Sequence, residues 1–298
     1  MKKVLFAIAL LGVPAWIVTA DFNSDLQAAA ALCKDGKHAE AIQAWINLGD
    51  SSADVQEQYA AICKAAECAR LHEGGEARAL EMAAYLKTEP YGKACRAFVY
   101  QWSGAFSNIV AEFENEDLAA WPEDMAANGY KVRGGAHFNL KHGPQAARDF
   151  LKTFQCSKSY DKWTAMRMLG QTYWKLLDDP LIAEGCFRKC ISDFGGGHPG
   201  LQARVELADL LLEQKRYEDA LKCLQAPADR PGAGYWLGAL LYSEAKVNAA
   251  MGRKAEAINA LETVLKTHGI NQYQQKDCEK MLATLRPGAA PQTSQPAK

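Results

Sequence analysis

The sequence predicts an all-α protein, a solenoid of about seven antiparallel helix pairs. Three observations point there. Ala, Leu, Glu, Lys and Gln dominate, all good helix formers, while alternating β-branched runs between tight turns are missing. Apolar residues recur at spacings of three and four, as in Leu207, Leu210 and Leu211, then Tyr217, Ala220, Leu221 and Leu224. A short pattern also returns along the whole chain at a period of 34 to 38 residues.

The elements follow in chain order. Lys2 and Lys3 precede an apolar run from Val4 to Val18, and Val18-Thr19-Ala20 places small residues where a signal peptidase reads. This arrangement predicts a signal peptide over 1–20 and a mature chain that begins at Asp21. Gly12 and Pro14 interrupt the run, which falls short of the ~20 apolar residues that a membrane span needs.

The repeating pattern starts at Gly36-Lys-His-Ala-Glu-Ala41-Ile-Gln-Ala-Trp45. A turn residue is followed five positions on by alanine, and four positions later by a large residue. It returns as Lys215-Arg-Tyr-Glu-Asp-Ala220-Leu-Lys-Cys-Leu224 and as Gly252-Arg-Lys-Ala-Glu-Ala257-Ile-Asn-Ala-Leu261. Weaker copies hold Gly74 with Ala79 and Ala83, Gly143 with Ala147 and Leu151, and Ala183 with Phe187. The anchoring alanines, Ala41, Ala79, Ala147, Ala183, Ala220 and Ala257, are 38, 68, 36, 37 and 37 residues apart. The long interval predicts a further copy around Gly104, Ile109 and Phe113.

An upstream helix completes each unit. Met166-x-x-Leu169-Gly170-x-x-Tyr173 precedes Ala183, Phe187 and Pro199. Leu207-Ala208-x-x-Leu211 precedes Ala220 and Leu224, and Ala28-Ala29-x-x-Leu32 precedes Gly36, Ala41 and Trp45. These segments resemble the tetratricopeptide repeat (TPR) pattern W-x₂-L-G-x₂-Y…A-x₃-F…P, with Met166 in the tryptophan position. The resemblance covers roughly residues 24 to 285 and implies a right-handed superhelix over 21–285. Alanine at the start of the second helix lets the first approach, and neighbouring units bury what one pair cannot. A last helix, about Gln272 to Leu285, is expected to cap the stack. The tail 286–298, with Pro287, Pro291 and Pro296, is expected to be disordered.

A formal net charge of -1 gives no general case for nucleic acid or for an anionic membrane surface. The sequence holds no phosphate loop with Gly-Lys-Ser/Thr, no His-Glu-x-x-His and no Gly-x-Ser-x-Gly. His137 with His142, and Cys186 with Cys190, are two-ligand pairs that fall short of a structural zinc set. No cofactor and no catalytic residue is assigned, and the chain is read as a non-enzyme.

The resemblance implies protein or peptide binding on a groove lined by first helices. That places Asn139, Lys141, His142, Arg167, Gln171 and Lys175 as partner-binding candidates, followed by Glu206, Asp209 and Glu213. Charge adds Arg148 and Lys152. From Ala111 to Tyr130 there are six carboxylates and no base, whereas from Lys131 to Lys175 nine bases face only Asp149 and Asp161. Solvated helix faces account for such segregation, and so does a basic band that receives an acidic partner. Tryptophans such as Trp163 and Trp174 would suit a polymeric sugar if they lined the groove, and core packing is their alternative.

All nine cysteines lie beyond the leader. Export to the periplasm or cell envelope would favour disulfides. Cys186 and Cys223 are one period apart, and equivalent sites on neighbouring helices stand ~10 Å apart, too far to bridge. The offset pair Cys156 and Cys190 is therefore the disulfide candidate.

Overall fold

A computed structural model describes residues 20–156, 161–194, 198–224, 234–267 and 269–286. Residues 1–19 of the leader expected over 1–20, and 287–298 of the tail expected over 286–298, lie outside the described residues. The chain divides into two compact units, Met1–Leu140 and Lys141–Lys298.

The first unit contains α1 (Ala20–Lys34), α2 (His38–Ser51), α3 (Val55–His72), α4 (Gly75–Ala83), α5 (Tyr91–Ser103), α6 (Phe106–Glu112), a 3₁₀ turn at Leu118–Ala120 and α7 (Glu123–Asn139). The second contains α8 (Gly143–Cys156), α9 (Asp161–Lys175), α10 (Pro180–Phe194), α11 (His198–Glu213), α12 (Tyr217–Leu224), α13 (Tyr235–Ala250), α14 (Lys254–Lys266) and α15 (Gln272–Leu285). In sequence order these are seven helix pairs and one closing helix, which spans the residues expected for the cap. No helix among the described residues is long and apolar enough to cross a membrane.

Helix ends follow from local chemistry. The Asp54 carboxylate accepts from the Gln56 amide at 2.7 Å to start α3. Asn271 and Gln274 exchange side-chain and backbone hydrogen bonds in a capping box that starts α15. The turns inside the pairs share one device. Gly36, Gly74, Gly104, Lys141, Asp178, Lys215 and Gly252 all have positive φ. From Gly104 onward they stand 37 residues apart. A left-handed residue releases the last turn of the first helix and reverses the chain.

The anchor five residues after each of these turns is buried. Ala41, Ala79, Ile109, Ala183, Ala220 and Ala257 are all closed to solvent, and so are Trp45, Phe113, Phe187, Leu224 and Leu261 four residues beyond. The copy expected near Gly104 is therefore α6. One copy sits one residue away from its expected place. Phe150 is 1% exposed and Leu151 44% exposed, so the anchors of α8 are Ala146 and Phe150, not Ala147 and Leu151. The sequence carries two adjacent alanines there, both buried, and the burial of Phe150 rather than Leu151 sets the register. With this change Ile109, Ala146, Ala183, Ala220 and Ala257 are spaced uniformly by 37 residues.

Within each unit the odd-numbered helices pack on one another. In the first, α1 meets α3, α3 meets α5 and α5 meets α7; in the second, α9 meets α11, α11 meets α13 and α13 meets α15. Each of α2, α4, α6, α10, α12 and α14 packs against the odd-numbered helices before and after it, and α8 packs against α9.

Candidate partner-binding face

The odd-numbered face of the second unit is built from α9, α11, α13 and α15. Side chains about one period apart meet across it. Arg167 on α9 donates to Glu206 on α11 at 2.6 Å, and Gln171 donates to the same Oε1 at 2.8 Å. Gln202 approaches that oxygen at 3.3 Å. Two turns along, Glu213 accepts from the Trp174 indole at 2.7 Å and from Lys175 at 2.9 Å. The Lys175 ammonium also sits over the Trp174 ring, 3.2 Å from its centroid. Asp209 on α11 pairs with Lys246 on α13. The result is a polar ladder whose rungs tie neighbouring pairs together.

The rungs differ in energetics. Arg167 and Glu206 are both buried. Burial pushes the Glu206 carboxyl above the ordinary carboxylate value, and the charge of Arg167 and its hydrogen bond draw it back. Removing one member of such a pair strands the other in a dry site, at a cost of ~3–5 kcal/mol. Lys175 and Glu213 are exposed, and a pair of that kind contributes ~0–1 kcal/mol.

At one end of this face the helix starts carry rings. His198 opens α11, Tyr235 and Trp236 open α13, and Tyr273 lies in the first turn of α15. His198 meets Trp236 edge-on with centroids 4.5 Å apart, and Tyr235 meets Trp236 at 5.0 Å. Tyr273 is 73% exposed and Tyr235 is exposed as well. Gln274 donates to the Tyr235 carbonyl at 3.1 Å, which holds the start of α15 beside that of α13. Such aromatic groups provide contact area with little rotamer entropy to lose. The sequence reading missed this cluster, because its members come from three repeats and share only the property of opening a first helix.

The candidate residues fall into separate groups. Arg167 is buried against Glu206 and presents no unmatched charge, and Gln171 is spent on the same carboxylate. Lys175 belongs to the exposed rung with Glu213. Asn139 closes α7 in the first unit by donating to the Gly135 carbonyl at 2.8 Å. Lys141 is the left-handed residue before α8, and His142 follows it; both are exposed. Arg148 and Lys152 lie one turn apart on the exposed side of α8, with Leu151 beside them, and neither has an ion pair among the described residues. The acidic stretch does not balance the basic band as a block. Glu112 pairs with Arg96 at 2.6 Å and Glu116 with Lys93, both bases lying upstream on α5.

Trp163 packs between Phe154 and Phe194, with centroids 6.1 and 5.4 Å away. All three rings are half-buried, so Trp163 is partly spent on packing against its neighbours.

The structure carries all nine cysteines as free thiols and so lends no support to the expected Cys156–Cys190 bridge. Cys156 ends α8 and Cys190 lies on α10, two outer-layer helices with α9 packed against both. Cys190 turns inward and meets the Trp163 carbonyl of α9 at 3.6 Å. The cysteines that do approach lie on touching odd helices: Cys33 and Cys68 at 3.1 Å, Cys63 and Cys95 at 3.5 Å.

Comparison with solved structures gives two similar chains. One is a tetratricopeptide repeat protein from Parabacteroides merdae, with a TM-score of 0.54 and 16% identity, covering 89% of this chain and 99% of that one. The fold is a tetratricopeptide-type helical repeat. The other is BtubC (BKLC) from P. vanneervenii, with a TM-score of 0.50 and 14% identity, covering 83% of this chain and 99% of that one. No protein-family model matches the sequence, and no curated protein matches it.

Proposed function

We propose that this chain is an exported, non-catalytic TPR-type scaffold that holds a protein or peptide partner in the periplasm or cell envelope. The observation that carries the reading is the odd-helix face of the second unit, where a repeated polar ladder runs beside helix starts that carry the exposed Tyr235 and Tyr273 and the half-buried Trp236. The rungs tie side chains of neighbouring repeats to one another and so hold the face in place. The aromatic side chains then supply anchors and the outer polar atoms supply register. Arg148 and Lys152, exposed and without ion pairs among the described residues, favour a partner segment of acidic character. Export rests on the basic, apolar and small-residue sequence over 2–20.

The test is a capture experiment from an envelope extract, comparing the wild type with a Tyr235→Ala, Trp236→Ala variant. Circular dichroism verifies that both are folded. Partners captured by the wild type and lost by the variant support the reading. Identical capture by both moves the binding surface elsewhere. N-terminal sequencing of the protein isolated from cells tests export: a chain beginning at Asp21 supports it, and an intact Met1 overturns it.

A further inference from the structure

The closest approach of metal-binding side chains outside that face lies in the first unit. Cys33 is the penultimate residue of α1, and His38 is the first of α2. Gly36, at φ 79°, turns the chain between them, with the Lys37 amide donating back to the Leu32 carbonyl at 3.0 Å. Cys68 and His72 lie four residues apart at the end of α3, on one face of that helix. Packing α3 beside α1 and α2 brings the two pairs together.

Three ligand atoms already share a centre, and the Cys68 sulfur joins them through its contact with Cys33, so it would have to turn toward the imidazoles to complete the set. Cys33 Sγ is 3.7 Å from His38 Nδ1 and 3.1 Å from Cys68 Sγ. The ligand atoms of Cys33, His38 and His72 all lie within 4.8 Å of one another. The His38 and His72 rings stack with centroids 3.7 Å apart and planes 1° from parallel. Tetrahedral zinc, with Zn–S of about 2.3 Å and Zn–N of about 2.0 Å, places its ligand atoms roughly 3.3 to 3.8 Å from one another. The sulfurs would open by about half an ångström, and one imidazole would rotate about its soft χ2 torsion to aim its lone pair inward.

We propose that Cys33, His38, Cys68 and His72 form a structural site for a divalent zinc-type ion, clipping the α1–α2 turn to the end of α3. Binding displaces the two thiol protons to solvent, so two thiolates, two neutral imidazoles and one dication give a neutral centre. Neutrality matters because Cys68 is only 2% exposed, and a net charge there would be costly to bury. Two sulfurs and two imidazoles suit zinc over the hard oxygen-seeking cations. This inference does not depend on which partner the second unit binds.

The test uses the full chain, purified and kept reduced, titrated with cobalt(II) as the spectroscopic probe. The expected result is one equivalent bound, with the intense visible bands of tetrahedral cobalt and a thiolate charge-transfer band, both bleached by zinc. His72→Asn changes an exposed residue and should leave the fold intact while weakening binding at least tenfold; Cys33→Ser should remove the charge-transfer contribution of one sulfur. Cys156→Ser should bind as the wild type does. Zinc should raise the melting temperature of the wild type and not that of His72→Asn. A folded, reduced protein with no tetrahedral cobalt spectrum overturns the proposal, as does a spectrum unchanged in both His72→Asn and Cys33→Ser. A Cys33–Cys68 disulfide in the protein as isolated from cells, found by non-reducing peptide mapping, would make the pair a covalent bridge and also overturn it.

Discussion

Gly170 of α9 lies directly against the ring of Phe187 of α10: a Cβ built on the glycine would stand 2.8 Å from Cε1 of that ring and 3.1 Å from the Cβ of Cys186. Phe187 is closed to solvent. The glycine of the Leu169-Gly170 motif is thus the close-approach point of a helix pair. Gly170→Ala should destabilise the protein by ~1–3 kcal/mol through overpacking, even though alanine gains about 1 kcal/mol in helix propensity. Urea unfolding of the two proteins measures the difference. A variant as stable as the wild type would mean that the two helices part without penalty.

Lys215 holds φ at 60° between α11 and α12, the position that Gly252 occupies at φ 76° between α13 and α14. A side chain in this conformation costs ~1–2 kcal/mol, and glycine avoids that strain at an entropic cost of ~0.5–1 kcal/mol. Lys215→Gly should therefore stabilise the protein by ~0.5–1 kcal/mol, and Gly252→Ala should destabilise it by a similar amount. Paired thermal melts read both, and opposite signs are the expected signature.

Burial pushes the thiols of Cys190 and Cys223 up to about 12, with Arg167 and Arg204 opposing the shift only in part. Their folded-state values lie above the unfolded value of about 8.5. The stability linked to them is therefore fully present below pH ~8.5 and is lost as pH rises toward the folded value. Cys190→Ala should lower stability at neutral pH by leaving a small cavity, and should flatten the decline measured between pH 8 and 10. A wild type and variant with parallel pH curves would rule out the linkage.

Arg148 and Lys152 project from the exposed side of α8. Reversing both to glutamate should change stability by less than about 0.5 kcal/mol per substitution. If an acidic partner docks there, association should slow, and its dependence on salt should weaken, because exposed charges act over ~8 Å at physiological ionic strength. Stopped-flow association at several salt concentrations measures this. Unchanged rates would remove α8 from the binding surface.

Much of the architecture was legible because a repeat reports its own packing. Ala41, Ala183, Ala220 and Ala257 were read from spacing alone and are all buried. The degenerate copy at Ile109 was located by the gap that it fills. The α8 register was not legible, since Ala146 and Ala147 are equivalent as letters and both are buried, and only the burial of Phe150 against the exposure of Leu151 tells the registers apart.

The sequence by itself determined the helical period, the turn positions and the pairing of helices, because all three depend on contacts within about 37 residues of chain. Only the tertiary structure decided which polar groups are consumed. Arg167 reads as a free cation in a basic band, yet Glu206 meets it across a helix-to-helix gap that no local pattern encodes. Cys33 and His38 lie at least thirty residues from Cys68 and His72, no sequence pattern joined them, and they approach one another only because α3 packs beside α1 and α2. Periodicity tells which face of a helix is buried; it does not tell which side chain from the next repeat will arrive there, since that depends on the offset and tilt set by packing.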